Sequence, residues 1–301
     1  MRVLGIDLGG TNIKIAVLER GDPPRVLFEG SKETHAEHGP EVVLDRMAAA
    51  AREGIAAAGP VARVGVGCPG PLDMEGGRSL FMTNLPGWEN QPIVAPLEER
   101  LGLPVALIND VRAYTLAEHQ AGAGRGCTDM VCFALGTGVG GGVVVCGRLL
   151  LGLNGTAGEL GHQTIDPDGP PCPCGSTGCL EQFVSGPAIA RAAGTATAAE
   201  AIEAARAGDR VAAEAVEHAG AYLGIGIANV VLAVGSERVI VGGGVAEAGD
   251  LLLAPARREF ARRNRVMPIE RVSILRAALG PHAGAVGAGL WGASAGRDRP
   301  L

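Results

Sequence analysis

The most constraining feature of this 301-residue sequence is a pattern of strand, glycine turn and strand that occurs twice. In residues 2–18 an apolar run reaches Asp7-Leu8-Gly9-Gly10-Thr11-Asn12, and alternating apolar residues follow. Residues 130–146 repeat the plan around Gly136-Thr137-Gly138-Val139-Gly140-Gly141-Gly142. Because the strand period continues after each turn, neither copy is a P-loop or a dinucleotide fingerprint, both of which need a helix there. We interpret the pattern as an internal duplication that gives two related halves.

The rest of the chain alternates short apolar strands with helical stretches, which predicts an α/β protein. Helices are predicted from composition in residues 41–58, directly after Asn109-Asp110, in the Ala-rich residues 186–233 and in residues 281–295. Strands are predicted at residues 64–68, 105–108 and 238–241. A third glycine turn, Gly242-Gly243-Gly244, follows the last of these strands. We place a small lobe at about 1–111, joined by a C-terminal helix at about 282–301, and a large lobe at about 112–281.

Composition excludes several classes of function. A hydrophobic content of 47% supports a sizeable core, and a net charge of −6 argues against binding the phosphate backbone of a nucleic acid. The N-terminus meets Asp7 after a few apolar residues, unlike a secretion signal, and the sequence shows no uncharged apolar stretch of about 18 residues. We therefore expect a cytoplasmic protein without a membrane or nucleic-acid partner, whose seven cysteines are thiols or metal ligands.

A run of four metal-ligand residues is the most specific local signal. His162, Cys172, Cys174 and Cys179 lie within 18 residues, in a segment rich in proline and glycine. Three thiolates and one imidazole complete the tetrahedral coordination of Zn²⁺ and leave no position for water. The spacing therefore predicts a structural zinc site rather than a catalytic one; a disulfide or buried free thiols are the alternatives.

Carboxylates near these landmarks are the candidates for chemistry. Asn109-Asp110 follows a strand and opens a helix, so Asp110 is either an N-cap or a base at the carboxyl end of a strand. Asp7 could hold the Mg²⁺ that accompanies ATP, or hydrogen-bond its own turn. Glu159 and Glu181 flank the predicted zinc loop, where they either accept hydrogen bonds from a polyol or are solvated surface charges. The glycine turns offer backbone N–H groups to the phosphates of a nucleotide.

In their order along the chain, these motifs resemble the ROK (repressor, open reading frame, kinase) family over residues 2 to about 290. The motifs that carry the resemblance are Asp7-Leu8-Gly9-Gly10-Thr11-Asn12, Cys68-Pro69-Gly70-Pro71, Thr83-Asn84-Leu85-Pro86-Gly87-Trp88, Asn109-Asp110, the turn at 136–142, Gly158-Glu159-Leu160-Gly161-His162, the Cys172 to Glu181 run and Gly242-Gly243-Gly244.

The resemblance implies an actin-like ATPase fold, with two duplicated lobes around a cleft, and transfer of the γ-phosphoryl group of ATP to a hexose, most simply glucose. Asp110 would be the base. The substrate-binding residues would be Gly70, Asn84, Asn109, Asp110, Glu159, His162 and Glu181. The residues near ATP and Mg²⁺ would be Asp7, Gly9, Gly10, Thr11, Asn12, Lys14, Gly136, Thr137, Gly138, Gly140 and Gly243. His162 would serve both zinc and sugar, and we expect a homodimer or homotetramer.

Several alternatives stay open at this stage. The acceptor could be mannose, fructose or an N-acetylated amino sugar, and the donor could be polyphosphate. The family also contains sugar-sensing repressors, although their DNA-binding segment precedes the kinase-like part and this chain begins at the first strand. One departure from the family pattern stands after Asn109-Asp110, where many members read Ala-Asn-Ala and this chain reads Val111-Arg112-Ala113. Arg112 bears on the range of substrates rather than on the reaction.

Overall fold

A computed structural model describes residues 1–82 and 85–294, which form two compact units. The first unit comprises residues 1–126, residues 148–157 and the C-terminal segment from residue 278. The second comprises residues 127–147 and 158–277. The predicted lobes, 1–111 joined by a C-terminal helix at about 282–301 and 112–281, remain a prediction.

The elements of the first unit are β1 (Arg2–Leu8), β2 (Asn12–Glu19), β3 (Arg25–Glu33), α1 (Pro40–Ala58), β4 (Val64–Cys68), β5 (Leu72–Asp73), β6 (Arg78–Ser79), α2 (Val94–Leu101), β7 (Val105–Asn109), α3 (Asp110–Gln120), β10 (Arg148–Leu149) and α9 (Ala283–Ser294). Five of the strands form a mixed sheet in the order β3-β2-β1-β4-β7. In this sheet β2 pairs antiparallel with β1 and β3, whereas β1, β4 and β7 are parallel.

Two helices cover opposite faces of this sheet, and the residue pattern explains why. The apolar residues of α1 pack on one face in a core that includes Leu4 and Val66. On the other face α9 lies so close that a Cβ atom on Gly5 would be 1.8 Å from the carbonyl oxygen of Ala285. A Cβ atom on Gly65 would likewise be 1.7 Å from the carbonyl oxygen of Ala288. The alternation of glycine and alanine in α9 therefore allows a helix to pack directly against strand backbones.

The second unit repeats this arrangement of strands. Its elements are β8 (Met130–Leu135), β9 (Val139–Val145), α4 (Glu181–Val184), α5 (Gly186–Ala193), α6 (Ala198–Arg206), α7 (Arg210–Val234), β11 (Arg238–Gly242), α8 (Asp250–Arg263) and β12 (Ser273–Arg276). Strands β9 and β8 form an antiparallel hairpin, and β11 and β12 continue the sheet in parallel with β8. A hairpin followed by parallel strands is also how the first sheet is built, as the duplicated sequence pattern predicted.

Sequence analysis found no apolar stretch of membrane length, but helix α7 is long and apolar enough to cross a membrane by length and composition. It is the one such helix among the described residues. Within its most apolar window, 56% of the helix is buried inside the protein. Leu223, Ile227 and Val231 belong to the core of the second unit, together with residues of β8 and β11. This packing is what the central helix of a globular unit requires, so the apolar composition of α7 is weak evidence for a membrane span.

A buried carboxylate in α3 fastens two segments of the first unit. Glu118 is completely buried, and its carboxylate accepts hydrogen bonds from the backbone N–H groups of Ala123, Ala278 and Leu279 at 2.9–3.1 Å. Ala123 lies in the turn after α3, and the other two residues lead into α9. The sequence alone offers no signal for this role, because Glu118 reads as an ordinary polar position on a helix.

We expect Glu118→Ala to be among the most destabilising substitutions in the first unit. It would leave three backbone donors without their acceptor, and breaking a buried charged network of this kind costs about 3–5 kcal/mol of unfolding free energy. A matched control is Glu98→Ala, because the exposed Glu98 carboxylate accepts from only one backbone N–H group, that of Val105. Urea denaturation should show a large loss for Glu118→Ala and about 1 kcal/mol or less for Glu98→Ala. Equal losses would contradict this role of Glu118.

Candidate active site

In the first unit, three parallel strands end side by side and bring polar residues to one edge of the sheet. The register pairs Asp7 in β1 with Gly67 in β4, and Cys68 in β4 with Asn109 in β7. Asp110 follows directly as the first residue of α3. The carboxyl ends of parallel strands are where α/β proteins place their binding and catalytic groups. The structure therefore brings Asp7, Asn109 and Asp110 to the same end of the sheet, while the roles assigned to them from the sequence remain predictions.

The N-cap of α3 is Asn109 rather than Asp110. The Oδ1 atom of Asn109 accepts hydrogen bonds from the backbone N–H groups of Val111 and Arg112 at 3.1 and 3.3 Å. The Oδ1 atom of Asp110 accepts from the N–H of Val111 at 2.9 Å. Because the capping role belongs to the neighbouring asparagine, the position of Asp110 is not explained by capping alone.

The charges at this edge act on one another. Burial and, to a smaller extent, the negative charge of Asp110 together raise the pKa of Asp7 to about 7, although the positive charge of Lys14 opposes the shift. Burial also raises the pKa of the Cys68 thiol well above its usual range, with smaller contributions from Asp110 and Asp7. Two carboxylates in a partly enclosed site repel each other, so a cation bound between or beside them would be stabilised. The electrostatics thus favour a positively charged ligand at this edge.

This pKa shift predicts a particular pH dependence of stability. The Asp7 carboxyl ionises near 3.8 when unfolded and near 7 when folded, so the folded state loses stability as the pH rises between those values. At about 1.36 kcal/mol per pKa unit, the loss reaches up to about 4 kcal/mol above pH 7. Asp7→Asn removes the ionisation and should be more stable than the parent at pH 8, with the difference shrinking toward pH 4.

Denaturation curves of both proteins at pH 4, 6 and 8 measure this difference. Asp45→Asn is the matched control, since Asp45 is an exposed carboxylate on α1. A stability difference between the parent and Asp7→Asn that stays the same at every pH would contradict the burial of an ionisable Asp7.

The first glycine turn, Gly9-Gly10-Thr11, joins β1 to β2 beside Asp7. The N–H of Gly9 donates to the carbonyl oxygen of Asn12 at 3.0 Å, which closes the turn, and Gly10 and Thr11 are exposed. In the hairpin register, Lys14 lies opposite Asp7. The turn therefore presents Gly10 and Thr11 to solvent. It lies next to the end of the sheet that carries Asp7 and Asp110, which we call the acidic edge.

Sequence analysis missed the residue that holds this turn in place. Thr34 is completely buried, its hydroxyl donates to the carbonyl oxygen of Gly9 at 2.6 Å, and its N–H donates to the carbonyl oxygen of Thr11 at 2.8 Å. Because Thr34 follows the end of β3 and is distant in sequence from the turn, no local motif indicates this contact.

In the second unit, the two remaining glycine turns lie against each other. The second turn, Gly136-Thr137-Gly138, is closed by a hydrogen bond from the N–H of Gly136 to the carbonyl oxygen of Gly138 at 2.9 Å. In the third turn Gly243 has a φ of +84°, and a Cβ atom there would be 2.3 Å from the carbonyl oxygen of Leu135, the residue before the second turn. Gly140 lies just beyond, in β9. Glycine is required at residue 243 by both its conformation and this approach.

Glu181 packs against the second glycine turn. One of its carboxylate oxygens, Oε2, accepts a hydrogen bond from the N–H of Val139 at 2.8 Å, and a Cβ atom on Gly138 would be 2.6 Å from the same oxygen. Sequence analysis assigned Glu181 to sugar binding, and that role remains a prediction. The geometry adds that Glu181 connects the turn at 136–138 to the start of α4, directly after Cys179 and Leu180.

The four predicted metal ligands converge in the second unit, and we call them the Cys3His cluster. The ligand atoms of His162, Cys172, Cys174 and Cys179 all lie within 4.8 Å of one another. The Sγ atoms of Cys174 and Cys179 are 3.6 Å apart, and Nδ1 of His162 is 3.8 Å from Sγ of Cys172. With zinc–sulfur bonds of about 2.3 Å and zinc–nitrogen bonds of about 2.0–2.1 Å, a tetrahedral ion spaces its ligands at about 3.6–3.8 Å. The donor set and its spacing therefore fit a closed Zn²⁺ site.

Thiol ionisation supports the same interpretation. Burial, together with hydrogen bonds in which the protonated Cys179 thiol donates to Cys174 and Cys172, raises the pKa of Cys179 to about 12. A hydrogen bond from the backbone N–H of Ser176 lowers the pKa of the exposed Cys174. Packing thiols this close is unfavourable for their charged forms unless a cation binds them.

The segment that contains the Cys3His cluster also carries two of the predicted sugar-binding residues, Glu159 and His162. Glu159 is exposed at the start of a short 3₁₀ helix, Leu160–His162, and the carbonyl oxygen of Glu159 accepts from the N–H of His162 at 3.1 Å. Since Nδ1 of His162 faces Cys172, the other ring nitrogen, Nε2, is left for a further partner. The structure thus places Glu159, His162 and the Cys3His cluster on one continuous segment.

The remaining predicted residues have the following positions. Gly70 has a φ of +77°, and its carbonyl oxygen accepts from Nδ2 of Asn109 at 3.4 Å, a long hydrogen bond that links it to the acidic edge. Asn84 lies outside the described residues.

Arg112 is buried in the first unit, and its Nε donates to the carbonyl oxygen of Ala157 at 2.8 Å. Ala157 immediately precedes Gly158 and Glu159, so the unusual arginine is linked to the chain segment that leads to a predicted sugar ligand.

Comparison with known proteins identifies the class of protein that this fold defines. The ROK family pattern matches residues 3–294, so the chain belongs to the ROK family. A glucokinase of Halalkalibacterium halodurans is 36% identical over 310 residues, covering 95% of this chain and 93% of the relative.

Two solved structures are also similar. A ROK hexokinase from Thermus thermophilus has a TM-score of 0.87 and 38% identity, covering 99% of this chain and 100% of that one. A ROK family glucokinase from Streptomyces griseus in complex with glucose and AMPPNP has a TM-score of 0.82 and 33% identity, covering 98% of this chain and 100% of that one. The predicted family and the predicted actin-like α/β fold are confirmed.

Proposed function

We propose that this protein is an ATP-dependent hexose kinase that transfers the γ-phosphoryl group of ATP to a hydroxyl group of glucose. The observation that carries the proposal is the pairing of Asp7 and Asp110 at one edge of the first sheet, beside the exposed glycine turn at residues 9–11. The similarity to glucokinase and hexokinase relatives over almost the whole chain supports the same reaction.

In this proposal Asp110 is the general base. Phosphoryl transfer to an alcohol requires little covalent chemistry from the protein, but one carboxylate must accept the hydroxyl proton and orient the oxygen. The backbone N–H of Val111, which donates to Oδ1 of Asp110, fixes the carboxylate at the start of α3. A carboxylate oxygen of Asp110 then accepts the proton of the sugar hydroxyl as the bond from the sugar oxygen to the γ-phosphorus forms and the bond from that phosphorus to the β–γ bridging oxygen breaks, which releases ADP.

Asp7 is the proposed residue that would hold Mg²⁺ with the nucleotide. A hard carboxylate oxygen suits Mg²⁺, and because burial and the charge of Asp110 raise the pKa of Asp7, a bound cation would stabilise its ionised form. When bound, the ion would supply positive charge to the phosphate oxygens. Thr11 and the exposed N–H groups of the first glycine turn would bind phosphate oxygens, and Lys14 would add positive charge from β2.

The proposed sugar ligands are the residues that the family resemblance indicates. They are Gly70, Asn84, Asn109, Glu159, His162 and Glu181. Carboxylate and imidazole groups accept hydrogen bonds from hydroxyls, and a site built to pair with several hydroxyls discriminates strongly against sugars that lack one. The Cys3His cluster, with Zn²⁺ bound, would hold Glu159 and His162 in place without contacting the reacting phosphate.

An assay that measures the sugar phosphate formed, by phosphorus NMR, tests the proposal with either phosphoryl donor. The panel of acceptors should contain glucose, mannose, fructose, N-acetylglucosamine and N-acetylmannosamine, each with ATP and with polyphosphate as donor. We expect the highest kcat/KM for glucose with ATP. A higher value for an N-acetylated sugar, or for polyphosphate, would reassign the substrate and keep the reaction class. No sugar-dependent turnover with any pair would overturn the proposed function.

A further inference from the structure

Two histidines and two glutamates converge where β3 ends and before α1 begins. Glu33 is the last residue of β3, and a short 3₁₀ helix, Ala36–His38, follows His35. The Oε1 atom of Glu37 lies 3.2 Å from Nδ1 of His35 and 3.5 Å from Nδ1 of His38. The ligand atoms of His35, Glu37 and His38 all lie within 4.8 Å of one another. These residues lie in the first unit and are separate in sequence from the Cys3His cluster.

The spacing of the three ligand atoms suits a small divalent ion. Bonds of about 2.0–2.2 Å from a tetrahedral ion to nitrogen and oxygen ligands place neighbouring ligand atoms about 3.3–3.5 Å apart. The two measured nitrogen to oxygen distances, 3.2 and 3.5 Å, agree with that spacing. The Nδ1 atoms of His35 and His38 both lie near the same oxygen, Oε1 of Glu37, and the two rings are tilted by 50° with their centroids 5.7 Å apart.

Glu33 supplies an independent indication of metal binding. Its Oε2 atom lies 3.2 Å from Nε2 of His35, on the side of the ring opposite the Nδ1 that faces Glu37. A histidine that binds a metal through one nitrogen commonly donates the proton on its other nitrogen to a carboxylate, which fixes the ring and its tautomer. A neutral His35 with its proton on Nε2 would thus offer the lone pair of Nδ1 to an ion. The two carboxylates contribute a charge of −2, which matches a divalent cation.

The backbone before this cluster is held firmly. The completely buried Thr34 makes two hydrogen bonds to the first glycine turn, through its hydroxyl to Gly9 and its N–H to Thr11. His35 follows directly, with a left-handed φ of +54°. Because the preceding residue is anchored, the direction of the His35 side chain is set by a fixed backbone rather than by a free loop. Glu37 and His38 are exposed, so an ion can enter from solvent.

We propose that His35, Glu37 and His38 form a binding site for a divalent transition-metal ion such as Zn²⁺ or Ni²⁺, with Glu33 orienting His35. Imidazole and carboxylate ligands suit these borderline ions better than they suit Mg²⁺, which prefers oxygen ligands and keeps its waters. Three protein ligands leave one coordination position for water or another ligand. The proposal concerns binding only and does not depend on the kinase reaction.

Equilibrium dialysis of the tag-free full-length protein against micromolar Ni²⁺ tests the site. Elemental analysis of nickel and zinc in the same sample separates nickel bound at the new site from nickel that displaces zinc from the Cys3His cluster. We expect about one nickel per chain with the zinc content unchanged. His38→Ala and Glu37→Gln should each weaken nickel binding at least about tenfold, and Glu33→Gln should weaken it by about 10–100-fold through the orientation of His35.

His218→Ala is the matched control, because His218 is an exposed histidine on α7 in the second unit. It should bind nickel as the parent does. All four variants change exposed positions, and circular dichroism with thermal melting confirms that each is folded. The absence of bound nickel in the parent would overturn the proposal, as would nickel binding that His38→Ala and Glu37→Gln leave unchanged.

Discussion

Asp110→Asn should lower kcat for phosphorylation of glucose by at least about 100-fold, the usual contribution of a general base. The substitution keeps the size of the side chain and the oxygen that accepts from the N–H of Val111, but an amide cannot take the hydroxyl proton. The affinity for glucose should stay within a few-fold of the parent value, because the ground-state hydrogen bonds are largely preserved. Steady-state kinetics with glucose and ATP measure both quantities.

The control for this prediction is Asp45→Asn, which makes the same chemical change at an exposed position of α1. It should leave kcat and KM unchanged. A folded Asp110→Asn protein with near-normal turnover would eliminate Asp110 as the base, and a raised KM with normal kcat would assign it to sugar binding instead.

Cys174→Ala should remove zinc and damage sugar affinity and stability together. The Sγ atom of Cys174 lies 3.6 Å from that of Cys179, within the Cys3His cluster, and an alanine leaves three ligands for an ion that needs four. Because the free energy of metal binding is partly free energy of folding, the segment that carries Glu159 and His162 should lose its order. We expect a lower melting temperature and a KM for glucose that rises well beyond the KM for ATP.

Cys146→Ala is the matched control, since Cys146 is an exposed cysteine of the second unit outside the cluster. After dialysis against buffer without metal, which empties a weakly held site such as that of His35, Glu37 and His38, elemental analysis should find about one zinc per chain in the parent and in Cys146→Ala, and almost none in Cys174→Ala. A metal-free parent with full activity would contradict a structural role for zinc. Equal rises in KM for glucose and ATP would show that the metal supports the protein generally rather than the sugar site.

Much of the fold could be predicted from the sequence because its strongest signals are local. The two glycine turns between alternating apolar residues predicted hairpins, and both occur, as β1 with β2 and β8 with β9. The ligand spacing from His162 to Cys179 predicted a cluster that the structure assembles. The composition of residues 281–295 predicted a helix, and α9 lies against Gly5 and Gly65 at distances that exclude a side chain.

The contacts that sequence analysis missed are long-range. Thr34 holds a turn more than twenty residues earlier, and Glu118 binds backbone groups about 160 residues later. Neither residue has a pattern around it, since a buried polar side chain is recognised only when its partners are known. Arg112 was noted as a departure from the family, but its hydrogen bond to Ala157 depends on tertiary packing that periodicity does not contain.

The reaction catalysed by the purified protein is the most direct test of the central claim. Incubation of the protein with Mg²⁺, ATP and glucose, followed by phosphorus NMR, should show one glucose 6-phosphate formed for each ADP. Both products should be nearly absent without glucose and with Asp110→Asn. ADP formed at the same rate without sugar, or no sugar phosphate from any hexose of the panel in a protein that is folded and contains its zinc, would contradict the assignment as a hexose kinase.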